Sequence, residues 1–251
     1  MKYPEFQMLI NTMDDRGYDY KKEIEGVNQN IAKRDTQGLS VSDHVKAMVY
    51  AQLSNNRPWK QIENNVDRIN EIFFDFDTDT LKGMPSEVLV GNLTAIHCGN
   101  RQIKHQMHFL KQNIETLECI QSMENGIDNY YKTLPLSKLV AKLSQQGNPY
   151  KLKYMGVPLV CEYLKGVGID VVKPDVHVCR LLGRLGYSKK QPASVWETID
   201  ICKEIAEEYD IPQSLVDTVL WQYCAKDKFE VCAAQPKCNQ CLVTTCPSRN
   251  N

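Results

Sequence analysis

An all-α fold follows from three features of the sequence. Apolar residues recur at three- and four-residue spacing along most of the chain, which is the period of a helix with one buried face. The strict alternation that marks a half-buried strand is nearly absent. Helix-start residues stand directly before periodic runs: Ser42-Asp43, Pro58 and Pro212. In chain order the spacing predicts helices over 5–13, 20–33, 42–53, 58–73, 86–95, 100–112, 115–131, 136–144, 158–166, 176–185, 194–209 and 213–224. The connections between them are short, as in packed helical proteins. The acidic stretch 75–80 (DFDTDT) reads as a solvent-exposed loop. No internal repeat and no low-complexity tract interrupts the pattern.

The 251 residues suffice for one large or two small cores. Apolar residues make up 42% and charged residues 24%, the proportions of a globular chain, and the formal net charge is −1. The near-neutral total neither requires nor excludes a polyanionic partner. No run approaches the 18 apolar residues of a membrane span. The first fifteen residues lack a cationic stretch followed by an apolar core, so no secretion signal is read there, and a cytoplasmic, monomeric protein is expected. Ten cysteines are many for such a chain. Without secretion a disulfide framework is not expected, and four of the ten fall within residues 232–246, which points to metal.

That array, Cys232-x5-Cys238-x2-Cys241-x4-Cys246, holds one close pair with a single cysteine on either side. Zinc sites usually show two close pairs. The spacing suits wrapping around a bulkier [4Fe-4S] cubane, with zinc or unligated thiols as the alternatives. The cluster would be structural, pinning a tail too short to have its own core. Cys224, seven residues upstream of the array, reads as core. Pro236 and Lys237, in the first loop, are placed to present a cation to DNA.

The stretch 156–186 raises a second question. Gly156-Val157 forms a short turn, and Pro158 fits the first position of the helix that follows. Glycine permits close approach of the backbone to a ligand, and a helix start offers free N–H groups and partial positive charge to a phosphate. The turn at Gly166-Val167-Gly168 reads instead as the stop of that helix. Eighteen residues separate Gly156 from Asp175, room for a helix and a loop. Asp175 opens the next helix. It reads first as an N-cap; the second reading is a carboxylate held ionised at a helix mouth, where it stabilises an oxocarbenium-like sugar or activates water. One residue can do both. His177, two positions on, is expected to support the loop. Residues 149–190 carry eight Lys or Arg and three acids, a basic stripe suited to phosphates. His105 and His108 read as surface or core residues. Trp59 and Tyr163 are aromatics that either stack on a base or fill the core.

The hairpin around Gly156, the segment Lys173-Pro174-Asp175-Val176-His177 and the terminal four-cysteine loop together resemble the helix-hairpin-helix DNA glycosylases, in the endonuclease III-like branch. The match covers roughly residues 40–250. Ala51-Gln52, in the run MVYAQLSNNRPW, resembles the segment where that family places a glutamine into the gap left by a flipped base. Asn100–Leu110 resembles the helix before the hairpin helices. The resemblance implies two helical lobes: a six-helix barrel over 40–148, and a discontinuous domain of 1–39 and 149–251 carrying the catalytic loop and the cluster. It further implies double-stranded DNA bearing a damaged or modified base as partner. Asp175 would be catalytic. Gln52, Asn55, Lys153, Gly156, Val157 and His177 would contact DNA, and Cys232, Cys238, Cys241 and Cys246 would hold the cluster. Departures accompany it. Bifunctional members carry a lysine just after the hairpin, and Pro158-Leu159-Val160-Cys161 has none, which implies a monofunctional enzyme without efficient strand cleavage. Pro158 also stands where a second hairpin glycine is usual, and each outer cysteine spacing is one residue short. A non-catalytic iron–sulfur or zinc DNA-binding protein, and a lyase with a displaced lysine, are the alternative readings.

Overall fold

A computed structural model describes the whole chain except residues 1, 21, 23, 24, 27, 30, 33–37, 56, 227, 250 and 251. The described residues form helices, turns and loops and no strand, so the fold is all-α. The chain divides into two compact units, Thr36–Val167 and the pair Met1–Asp35 with Gly168–Asn251.

The middle unit contains α2 (Val41–Leu53), α3 (Trp59–Glu63), α4 (Val66–Ile72), α5 (Thr78–Gly83), α6 (Ser86–Ala95), α7 (Ile103–His108), α8 (Leu110–Met123), α9 (Ile127–Thr133), α10 (Leu136–Ser144) and α11 (Val157–Gly166). Helix α2 starts one residue earlier than the sequence suggests. Ser40, not Ser42, is its cap: the Ser40 hydroxyl accepts from the Asp43 amide while the Asp43 carboxylate accepts from the Ser40 amide. Helix α2 runs through the centre of the unit and buries His44, Val45, Met48, Val49, Ala51, Gln52 and Leu53. It packs closely on α11, where a Cβ on Gly166 would lie 3.3 Å from that of Ala47. That packing draws residues 149–167 into the middle unit rather than the discontinuous one.

Three segments differ from expectation. The single helix over 58–73 is two, parted at Asn64-Asn65, where the Asn65 side chain donates to the Gln61 carbonyl and competes with the helix ladder. The acidic loop 75–80 is a 3-10 turn (Phe74–Phe76) and the start of α5, whose cap is Asp77 accepting from the Thr80 amide. Phe76 there is buried, so the stretch belongs partly to the core. The helices over 100–112 and 115–131 redistribute into α7, α8 and α9, with breaks at Phe109 and at Asn125-Gly126, and the latter two residues have positive φ.

A chain of polar side chains crosses this core. The Asp128 carboxylate faces His44 Nε2 at 3.2 Å, His44 Nδ1 lies 2.7 Å from the Tyr163 hydroxyl, and Tyr131 Oη lies 2.9 Å from it. Asp128 also accepts from the Leu39 amide. Tyr163 is fully buried and is therefore a core residue, not a base-stacking one.

The second unit holds α1 (Pro4–Asp14), α12 (Val176–Arg184), α13 (Val195–Tyr209) and α14 (Gln213–Cys224). The described residues within 20–32 are helical, and Lys33, the expected end of that helix, lies outside the described residues. Phe6, Leu9, Met13, Val178, Leu182, Val216, Leu220 and Tyr223 build one core, onto which Val231 and Val243 of the cysteine tail dock. The tail is thus held by two apolar anchors, which suits a segment that buries little surface of its own.

Candidate active site and thiol cage

In the second unit, Asp175 is the N-cap of α12. Its Oδ1 accepts from the amides of His177 at 2.8 Å and Val178 at 3.0 Å. Both cap bonds fall on one oxygen, and Oδ2 has no hydrogen-bond partner among the described residues. The capping reading is therefore correct, and it leaves one carboxylate oxygen for other work. His177 is half-buried, and its Nδ1 accepts from Arg180 Nη2 at 3.1 Å. Burial pushes the imidazole below its usual range. A neutral ring that already receives a guanidinium proton fits the supporting role expected of it.

The same helix reaches the cysteine tail. Arg184 donates from Nη1 to the Cys232 sulfur (3.3 Å) and the Ala233 carbonyl (2.6 Å), and from Nη2 to the Ala234 carbonyl (2.9 Å). Cys232, Cys238, Cys241 and Cys246 all line one cavity, walled by Leu9, Leu181, Leu185, Val231 and Val243. Donors are aimed at these sulfurs: Tyr223 Oη at Cys241 (2.8 Å) and the Val243 amide at Cys241 (3.4 Å), besides Arg184 at Cys232. The Cys224 thiol, followed by Arg184, holds Cys232 down at about 6. Cys224 itself is buried core, as expected. Among the described residues no three Cys, His, Asp or Glu side chains converge as they do on one ion. Four thiols spread round a shared, mostly apolar cavity, with N–H and O–H donors on the Cys232 and Cys241 sulfurs, are a fitting cradle for a multinuclear thiolate-bound group.

The hairpin residues lie in the middle unit. Gly156 is exposed and caps α11 with φ −81°, so its backbone demands no glycine, and an added Cβ would meet nothing nearer than Pro158 Cδ at 4.0 Å. Val157, not Pro158, is the first helical residue, and no side chain caps the helix. The turn is instead fixed from behind. Buried Asn113 accepts from the Lys153 amide at 2.6 Å and donates to the Lys153 carbonyl at 3.1 Å. Lys151 is nearly buried and donates to the carbonyls of Leu152 (2.7 Å) and Met155 (2.5 Å). Desolvation, with Lys153 adding to it, pulls its pKa down to about 8.

Comparison with protein-family models, curated proteins and solved structures finds no match.

Gln52 corrects an expectation. It is fully buried, and neither side-chain polar atom has a partner. It lies on the inward stripe of α2 with Val45, Met48 and Val49, so it does not project as a wedge. Asn55 follows the end of that helix and is half-buried, its amide bonded to the Gln52 carbonyl at 3.2 Å. Trp59 is 41% exposed at the start of α3. Sequence reading missed Asn113, Lys151 and Arg184 as site-builders. One signal was available for the last of these: Arg184 follows Arg180 by four residues, one helical turn, on the helix that Asp175 opens. Among the described residues, no helix is long and apolar enough to cross a membrane.

Proposed function

We propose that the protein is a monofunctional DNA glycosylase that removes a damaged or modified base from duplex DNA. The observation that carries this reading is the Asp175 carboxylate: one oxygen is spent on capping α12 and the other is left without a partner at the positive end of the helix. That oxygen faces the developing positive charge on deoxyribose as the N-glycosidic bond lengthens, and then orients the attacking water. The base must be out of the stack for this, at a cost of a few kcal/mol that is least for a mispaired or damaged base. The bare amides and open Cβ position at Gly156-Val157 support phosphate binding without reading sequence. The four thiols support a [4Fe-4S] cluster that, when bound, would tie the tail to the unit's core; it has no step in the chemistry.

A lyase reading has one observation in its favour, the lowered pKa of Lys151. Its ammonium, however, is committed to two backbone carbonyls of the turn. Incubation with duplexes carrying a panel of alkylated, mismatched and enzymatically modified bases tests the proposal. Release of free base with an intact abasic strand, and no borohydride-trapped adduct, is expected. Salt-dependent binding with no base released from any duplex would leave a DNA-binding protein instead. A brown preparation containing iron would support the cluster, and a colourless zinc protein would remove it.

A further inference from the structure

Three rings meet on the surface of the middle unit. Tyr154 stacks on His105 with centroids 4.9 Å apart and planes 1° from parallel, and on Phe109 at 5.3 Å and 27°. Tyr154 is 42% exposed and His105 is exposed, so the group presents π surface to solvent rather than filling a core. Its position is set from behind: Asn113 grips the backbone of Lys153, and Lys151 bridges the carbonyls of Leu152 and Met155 on either side. Tyr154 itself has φ 56°, a left-handed conformation that a tyrosine adopts only where its surroundings impose it.

Cations predominate in the segments that carry the rings. Residues 88–114 and 129–161, which supply all three rings, contain no Asp or Glu. Arg101, Lys104 and Lys111 are exposed and make no ion pair among the described residues, and Lys153 is adjacent to Tyr154. Acids flank the group at Glu87, close enough to feel His108, and at Glu115, one turn beyond Lys111 on α8. A preorganised aromatic face amid unpaired cations is what a base with its phosphate requires, since every base has a π face and every linkage a negative charge.

We infer that Tyr154, braced by His105 and Phe109, is a stacking platform for an unpaired base of a DNA strand, with Arg101, Lys104 and Lys111 on the neighbouring phosphates. The inference deepens the glycosylase reading, on which it rests for the identity of the polymer. The test reads binding and not base release, so either can fail alone. Fluorescence anisotropy is followed with two labelled single strands of equal length, one bearing bases and one made of abasic deoxyribose phosphates. Wild type is expected to prefer the base-bearing strand by roughly 5- to 150-fold. Tyr154→Leu is expected to lose that preference while Tyr154→Phe keeps it, and Lys104→Ala is expected to weaken both strands alike and lower the salt slope by about 0.7. Equal affinity of wild type for the two strands would overturn the platform whatever the variants do. So would a Tyr154→Leu protein, folded by its melting curve, that weakens both strands equally, because that is the result of a brace alone.

Discussion

Replacing Asp175 by Asn separates its two roles. Oδ1 accepts both cap bonds, from His177 and Val178, and an asparagine oxygen can accept the same two. Asn is as good an N-cap as Asp. What the variant loses for folding is a negative charge at the helix start, worth about 0.3–1 kcal/mol in an exposed setting. What it would lose in the proposed chemistry is the carboxylate charge beside the sugar. Removing a positioned group that stabilises or transfers charge in the transition state costs roughly 10²–10⁴ in rate, about 3–5 kcal/mol of barrier. The two effects differ several-fold in energy and are read by different assays. Urea titration should place Asp175→Asn within about 1 kcal/mol of wild type. Single-turnover base release, with enzyme in excess over a lesion duplex, should fall by at least 100-fold. Asp175→Ala supplies the converse, a further folding loss of about 1 kcal/mol as the cap bonds disappear, with no slower release than the Asn variant. Base release by Asp175→Asn at the wild-type rate would refute the catalytic role and leave the residue a cap.

Further outcomes follow from the same geometry. Arg184→Met removes the donors to Cys232, Ala233 and Ala234, so the tail should loosen and stability should fall by about 1.5–3 kcal/mol in urea titration, as for a charged hydrogen-bond donor. Lys151 has a folded pKa near 8 against an ordinary value of 10.5, so the unfolded chain binds more protons between those limits. Stability should therefore rise as the pH is taken from 8 to 10.5, and urea midpoints of Lys151→Met should lose that rise. Gly156→Ala meets no steric obstacle and should fold with stability within about 1 kcal/mol of wild type. Its affinity for duplex DNA should nonetheless drop by about tenfold or more if a phosphate approaches the turn, and filter binding at fixed salt checks this.

The helices were legible because their periodicity is local. Asp175 as a cap, the stop at Gly166 and the assignment of Cys224 to the core all rest on neighbours within a turn or two. The break at Asn64-Asn65 was overridden in the reading by a good apolar pattern on both sides, although two adjacent asparagines are a known competitor for helix hydrogen bonds. Asp77 was hidden by its acidic company, which made a loop more attractive than the Asp-x-x-Thr cap it contains. Gln52 could have been placed correctly: it is seven residues from Val45 and four from Met48, on the buried stripe of its own helix. The resemblance, which asked for a wedge, pulled the other way. Tyr154 with His105, Asn113 with Lys153, and Arg184 with Ala233 are pairs forty or more residues apart, and no local pattern announces them. The same holds for the placing of residues 149–167 with the middle unit, which is decided by the closeness of Ala47 to Gly166.

The line of hydrogen bonds from Asp128 through His44 and Tyr163 to Tyr131 also bears on how the middle unit comes together. Its members come from α2, α9 and α11, so no two of these helices can dock fully dry while the third is away; an imidazole or a phenol would be stranded without its neighbour. Such a core has no comfortable halfway house. The unit should melt in a single step, and a lesion anywhere along that line should be felt by all three helices at once.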